Sequence, residues 1–231
     1  MLRSYIAFDI ETTGLSPAED EVIEIGALKV RDGRVQERFM EFIKPQRPIP
    51  AFITGLTGID NDMVASARSR EQVIPEFLSF CEEDVLIGHN ILFDYSFIKV
   101  NADTLGYSFE KSGIDTLKIA RVVHKELPSR SLGVLCEHYQ IQNSAAHRAY
   151  HDALATAKLY QTLAHYFEEK EPQVFLPAEL CCTAKKSLPA TEKQRKLLAR
   201  LIKEKKREEG CDLENLTRAE ASRLIESLLA R

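Results

Sequence analysis

Phe8-Asp9-Ile10-Glu11-Thr12-Thr13-Gly14 places two acids two residues apart at the end of an aromatic and branched run that reads as a strand. The period of two puts Asp9 and Glu11 on one face and Phe8 and Ile10 on the other. Two neighbouring carboxylates on a central strand are costly, because burial disfavours each charge and the pair repels. A hard cation held between them is the natural compensation. A strand end running out into solvent is the plain alternative, and the glycine that follows and the apolar opening of the strand favour the site. A third acid, Asp94 in His89-Asn90-Ile91-Leu92-Phe93-Asp94, falls in the first turn of a helix just past a short strand. That is the sheet edge where α/β proteins place ligands. The fourth, Asp152, sits near the start of a long helix and follows His147 by five residues in His147-Arg148-Ala149-Tyr150-His151-Asp152-Ala153. Taken singly, an Asp in a first helical turn is also ordinary dipole compensation, and a lone histidine is more often structural than catalytic.

The elements that must carry these residues follow from pattern. Ser4 to Ile10, Val22 to Arg31 and Arg34 to Ile43 read as three strands, the last two joined by an Asp32-Gly33 turn as a hairpin. After the proline-punctuated KPQRPIP come short helical pieces around Ala51 to Gly55 and Glu71 to Cys81. A short buried strand is expected over Asp84 to Ile87, a helix over Ile91 to Leu105 and a further strand near Ile114. Helices fit Thr116 to Glu126, Ser131 to Tyr139 and Tyr150 to Glu168. A meander followed by alternating strands and helices implies an α/β fold, a mixed β-sheet with helices packed on it. The expected division is a main domain over 1–170, a linker over 171–190 and a helical hairpin over 191–231. The linker segment holds three prolines and no sustained period. In the hairpin, TEKQ at 191–194 and TRAE at 217–220 are capping boxes, each opening a Leu/Ile stripe.

Composition narrows the setting. The 231 residues are 44% hydrophobic and 29% charged, with no apolar run of membrane length. The N-terminus reaches carboxylates too early for a secretory signal. Five cysteines, without a CxxC pair or zinc-ligand spacing, favour a reduced cytoplasmic protein. The net charge of −4 hides an asymmetry: residues 1–170 hold 18 basic against 25 acidic side chains, and 171–231 hold 13 against 10. An acidic main domain argues weakly against a polyanionic substrate, unless bound cations invert the local charge.

DIETTG, HNILFD and HRAYHDA, in that order, together resemble the motifs of the DEDDh 3′-to-5′ exonucleases, a family with a ribonuclease H-like fold that includes proofreading subunits and exonuclease domains of bacterial replicative polymerases. The resemblance spans about residues 4–168. It implies that Asp9, Glu11, Asp94 and Asp152 hold two divalent cations, Mg2+ or Mn2+, and that His147 is the general base for in-line attack of water on the terminal phosphodiester. The sister subgroup carries a tyrosine four residues before the last acid, where this chain has Arg148. Tyr150 has the wrong spacing for it, and His151, adjacent to Asp152, points about 100° away on a helix. The resemblance further implies that backbone amides and side chains of Thr12 and Thr13 meet the terminal sugar, that Leu15 and Leu56 wedge against the last base, that Phe93 stacks on it, that Asn90 positions the strand and that Gly14 belongs to the substrate-binding residues. For Leu15, Leu56 and Phe93, core packing is the competing reading. The expected substrate is a single-stranded or frayed DNA 3′ end, with a DNA polymerase subunit as partner and no membrane. DNA is preferred because DIETTGLSP and ITGLTGID look like the polymerase-associated branch. RNA end-trimming, as in ribonuclease T and oligoribonuclease, and a non-catalytic nucleic-acid-binding subunit are the alternatives.

Overall fold

The computed structural model describes residues 1–143, 147–182 and 190–204, together with Leu216, Ala221 and Ile225. The chain divides into two compact units, Met1–Cys182 and Thr183–Arg231. Three antiparallel strands open the first unit: β1 (Tyr5–Thr12), β2 (Val22–Arg31) and β3 (Arg34–Phe42). Asp32 and Gly33 both take positive φ, 51° and 78°, the pair of left-handed residues that a two-residue hairpin turn requires. Three shorter strands complete the sheet: β4 (Leu86–Gly88), β5 (Ser112–Asp115) and β6 (Ala178–Glu179). The strand order is β3-β2-β1-β4-β5-β6, with β4 parallel to β1, β5 parallel to β4 and β6 antiparallel to β5.

Helices cover both faces. Ile6, Phe8 and Ile10 of β1 face a core built with Phe77 of α3 (Arg70–Cys81) and Tyr95 and Phe97 of α4 (Leu92–Thr104); α1 (Ala51–Thr57) and α2 (Asn61–Val64) add a smaller cluster around Ile23, Ile53 and Ile59. Tyr5 and Ala7 face the other side, packed with α5 (Thr116–Val123), α6 (Leu132–His138) and the long α7 (Ala149–Phe167). Asp9 and Glu11 continue that second face past the point where its apolar residues end. The close approach of α7 is set by Gly26 on β2, which pairs with Asp9: a Cβ there would lie 2.0 Å from the Tyr150 nitrogen.

The segment expected as a linker is folded into the first unit as far as Cys182. Pro172–Phe175 forms a 3₁₀ turn that buries Phe175 in the α7-side core, β6 pairs with β5, and Leu180 enters the opposite core while its N–H donates to Lys111 O at 2.8 Å. A one-turn helix and a two-residue strand are too short to leave a period in the sequence. Residues 183–189 lie outside the described residues. In the second unit α8 (Glu192–Glu204) opens with the expected capping box: Gln194 N–H donates to Thr191 Oγ1 at 3.2 Å, and Thr191 N–H to Gln194 Oε1 at 3.0 Å. Leu198 and Leu201 are buried with Ala190 and Ala221. The TRAE box expected to open the second hairpin helix falls outside the described residues. No helix among the described residues is long and apolar enough to cross a membrane.

Two expected outcomes follow. Ending the chain after Lys170 strips Phe175, Leu180 and β6 from the first unit and should cost it roughly 3–6 kcal/mol relative to a chain ending after Cys182, two buried large side chains at about 1.5–3 kcal/mol each. Gly26→Ala should lower the unfolding free energy of the first unit, measured by urea denaturation, by about 1–3 kcal/mol of overpacking, with a sharp loss of activity as α7 is pushed off β2.

Candidate active site

The four acids and the histidine converge where β1 ends. Pairing of β1 with β4 covers Ile6 and Ala7, so on that edge the Ile10 N–H lies beyond the shorter strand. Asp94 supplies the missing acceptor: its Oδ1 takes the Ile10 N–H at 3.0 Å, and the side chain is 3% exposed in the first turn of α4. On the other side of the sheet end, Glu11, His147 and Asp152 bring one ligand atom each to within 4.8 Å of one another. Asp9 and Asp94 are not part of that trio, yet both feel Asp152 electrostatically, and Asp9 also feels Glu11 and Asp94. His151 lies outside it, beside the Tyr150 ring.

His147 is exposed and adopts φ 63°, a left-handed conformation that costs a non-glycine residue on the order of 1 kcal/mol and persists only when its surroundings hold it. Its N–H donates to Asp152 Oδ2 at 2.7 Å. Asn143 Nδ2 donates to the other oxygen of Asp152 at 2.6 Å. A shift in the β1–β2 register between Glu11 and Thr12 turns the strand at the site. On the α4 side, His89 bridges Thr116 Oγ1 and Arg130 O, each at 2.9 Å, its Nε2–H serving the carbonyl, and burial holds the pKa of its imidazole below the usual range.

Electrostatics decide what this cluster can hold. Burial first, then repulsion from Asp94, Glu11, Asp152 and Glu24, raises the pKa of Asp9 well above the carboxylate range. Burial, with Asp152, Glu24 and Asp94, pushes Glu11 up to about 8, opposed by Arg148. Asp94 is likewise pushed up to about 8 by burial, partly offset by backbone hydrogen bonds. Full ionisation therefore calls for positive charge beyond the one guanidinium, and an oxygen-rich donor set with one imidazole fits hard divalent cations.

Three contributors escaped the sequence reading. Glu24, directly opposite Glu11 on β2, accepts from Arg148 Nη2 at 3.0 Å and from Ala149 N–H at 3.1 Å. Its signal was available: Glu24 interrupts a run, Val22 to Val30, whose every residue is buried. Asp115 caps α5 and also accepts the Asn90 N–H at 2.9 Å, fixing Asn90 at φ 69°. Neither it nor Asn143 leaves a pattern in the sequence.

The residues expected to meet the nucleotide are distributed unevenly. Leu15 and Leu56 are 84% and 55% exposed, which removes core packing as their explanation, and Phe52, one turn before Leu56 on α1, is exposed with them. Phe93 is half-buried against the core with its ring 5.1 Å from Phe97, so packing does account for part of it. Thr12 and Thr13 are buried. Thr12 Oγ1 donates to Gly14 O at 2.6 Å, Thr13 Oγ1 accepts the Glu21 N–H, and the Thr13 amide, expected to meet the sugar, is committed to Glu21 O. At Gly14 a Cβ would lie 2.4 Å from the Asp20 carboxylate. Asn90 is exposed at the start of the α4 turn.

Comparison with known proteins places the chain in a family. A family model described as exonuclease matches residues 6–160. The chain is 43% identical over 165 residues to a PolC-type DNA polymerase III of Caldanaerobacter subterraneus subsp. tengcongensis, covering 71% of this chain and 12% of that one. It is 41% identical over 157 residues to the PolC-type polymerase of Streptococcus sanguinis, covering 68% and 11%. The chain thus spans only a small part of the length of these relatives. Among solved structures, exonuclease X in complex with 5′ overhanging duplex DNA matches with a TM-score of 0.59 at 24% identity, over 74% of this chain and 96% of that one. E. coli exonuclease I in complex with a dA16 oligonucleotide matches with a TM-score of 0.64 at 21% identity, over 75% and 42%. The fold is therefore that of the ribonuclease H-like exonucleases, and the match over residues 6–160 shows that the chain belongs to the RNase T exonuclease family.

Proposed function

We propose that the chain removes nucleoside monophosphates one at a time from the 3′ end of single-stranded or frayed DNA, in proofreading or repair, using two divalent cations, Mg2+ or Mn2+. The observation that carries this reading is the convergence of Asp9, Glu11, Asp94 and Asp152, three of them with strongly raised proton affinity, around an exposed histidine at the end of β1. Bound cations would supply the positive charge that stabilises the attacking and leaving oxygens of an in-line displacement. The four carboxylates hold them. His147, at the mouth of the cluster and exposed to solvent, takes the proton from the attacking water. Leu15 and Leu56, left in solvent next to the β1 turn and on α1, offer apolar faces on which a terminal base packs without sequence choice. Thr12, Thr13 and Gly14 shape the turn at the sugar, Asn90 positions the strand and Phe93 presents its ring edge. The PolC-type relatives, named as DNA polymerases, favour DNA as substrate and a polymerase subunit as partner, and the reduced-cysteine composition favours a cytoplasmic site of action.

Matched 3′-labelled DNA and RNA strands, single-stranded, paired and 3′-mismatched, test the reading directly. Mononucleotides should leave the single-stranded and mismatched DNA fastest, and only in the presence of a divalent cation; equal or faster release from RNA would reassign the substrate. Asp94→Ala should abolish release. His147→Ala should lower kcat by about 10²- to 10⁴-fold with strand binding retained, while His151→Ala should be mild.

The raised carboxylate pKa values also fix a pH dependence. In chelator, the folded protein keeps protons on Glu11 and Asp94 up to about pH 8, whereas unfolded carboxylates release theirs near pH 4. The folded state binds more protons across that window, so stability should fall as pH rises from about 4 to 8. Mg2+ or Mn2+, binding only the folded site, should raise the melting temperature most at the alkaline end. A melting temperature in chelator that climbs with pH over this range would contradict the charge balance described here.

A further inference from the structure

Glu24 is a buried acid that the proposed chemistry does not use. It stands in one cross-strand row, Glu11–Glu24–Phe42, running from the cluster to the outer strand β3. Arg148 lies over this row. Its Nε contacts both Glu24 oxygens at 3.3 Å, its Nη2 reaches Oε1 at 3.0 Å, and its guanidinium sits 5.4 Å from the Phe42 ring centre. Glu24 Oε2 also accepts the N–H of Ala149, the first residue of α7.

Arg148 occupies the position before that helix, where a Ser, Thr, Asp or Asn side chain normally satisfies a free N–H, and no side-chain cap is made there. The acceptor comes instead from the neighbouring strand. The peptide between His147 and Ala149 is therefore tied at two points. Asp152 takes the His147 N–H, and Glu24 takes both the Ala149 N–H and the Arg148 side chain. Asp152 is itself a proposed cation ligand, so the tie that stands apart from the cations is Glu24.

We infer that the Glu24–Arg148 pair is a positioning device that holds His147 in its left-handed conformation, so that its imidazole stays within reach of Glu11 and Asp152. The pair touches neither strand nor cation in this role and acts through His147. Loss of either partner frees the peptide that carries the base, and a displacement of about 1 Å is enough to slow such a step by about 10²-fold. The inference rests on the reading of His147 as the base.

A double-mutant cycle separates the two. At saturating Mg2+, Arg148→Ala should lower kcat by about 10- to 100-fold with KM for a single-stranded DNA oligonucleotide unchanged. In a His147→Ala background the same substitution should cost nothing further, because the side chain it positions is gone. Glu24→Gln, which keeps an acceptor for the Ala149 N–H but removes the charge, should behave as Arg148→Ala does and serves as the second probe if one variant folds poorly. An equal loss from Arg148→Ala in both backgrounds, or a rise in KM instead of a fall in kcat, would overturn the positioning role and make the arginine a direct contact. Unimpaired kcat in both single variants would overturn it as well. If His147→Ala by itself retains full kcat, it is the assignment of the base that fails, an outcome read from a different arm of the cycle.

Discussion

Asp9, Glu11, Asp94 and Asp152 repel one another, and each would be cheaper in water; most of the first unit makes sense as the means of keeping them together. The repulsion is visible in the raised proton affinities of Asp9, Glu11 and Asp94, with burial the larger cause in each case. A cluster of this kind cannot hold itself in place. Its members must be fixed by elements whose own stability comes from elsewhere, and here that means two apolar cores, one on each face of a six-stranded sheet. Hydrophobic burial carries the strain, at about 25 cal/mol per Å² of apolar surface removed from water.

The way each acid is fixed reflects the element that bears it. Asp9 and Glu11 are fixed by the pleat of β1, whose preceding residues are buried on both faces. Asp94 is fixed by the backbone amide that the short β4 leaves uncovered. Asp152 depends on where α7 begins, and that start is set by Gly26, by Asn143 and by the Glu24–Arg148 pair. The last of these carries a second benefit. A bare Glu24 opposite Glu11 would add another unbalanced negative charge to the site, and the guanidinium that anchors the helix also offsets it, as its opposing effect on Glu11 shows.

How much of this the sequence reveals depends on the range of the interaction responsible. The meander, the Asp32-Gly33 hairpin, α4 and α7 are legible because their signals are local: period two, a turn dipeptide with two left-handed residues, and helical spacing. The four acids and His147 are legible as a set because three short motifs carry them. Glu24 was legible in principle, as the one acid inside the buried run Val22 to Val30, but its partner 124 residues away was not. Asn143 and Asp115 are ordinary loop and cap residues until the fold brings them to Asp152 and Asn90. Phe175, β6 and Leu180 were hidden by prolines that read as a linker, because elements of two to four residues are specified by the core they dock onto and not by any repeat of their own.

The same distinction explains why the overall charge of −4 is a poor guide to what such a protein binds. A Debye length of about 8 Å at physiological salt makes the surface average of little consequence at the mouth of a cleft. What matters there is the handful of groups within a few ångströms, and on this chain those are acids whose burial favours either a proton or a cation among them. Two divalent cations would cancel the four carboxylate charges, and their own affinity for phosphate oxygens would then act at that one point of an otherwise acidic domain. A polyanion would then be drawn to one point and repelled elsewhere. For an enzyme proposed to act only at a strand's end, that is the useful distribution: the remainder of the strand gains little by lying on the first unit, so attraction is concentrated on the terminal phosphodiester.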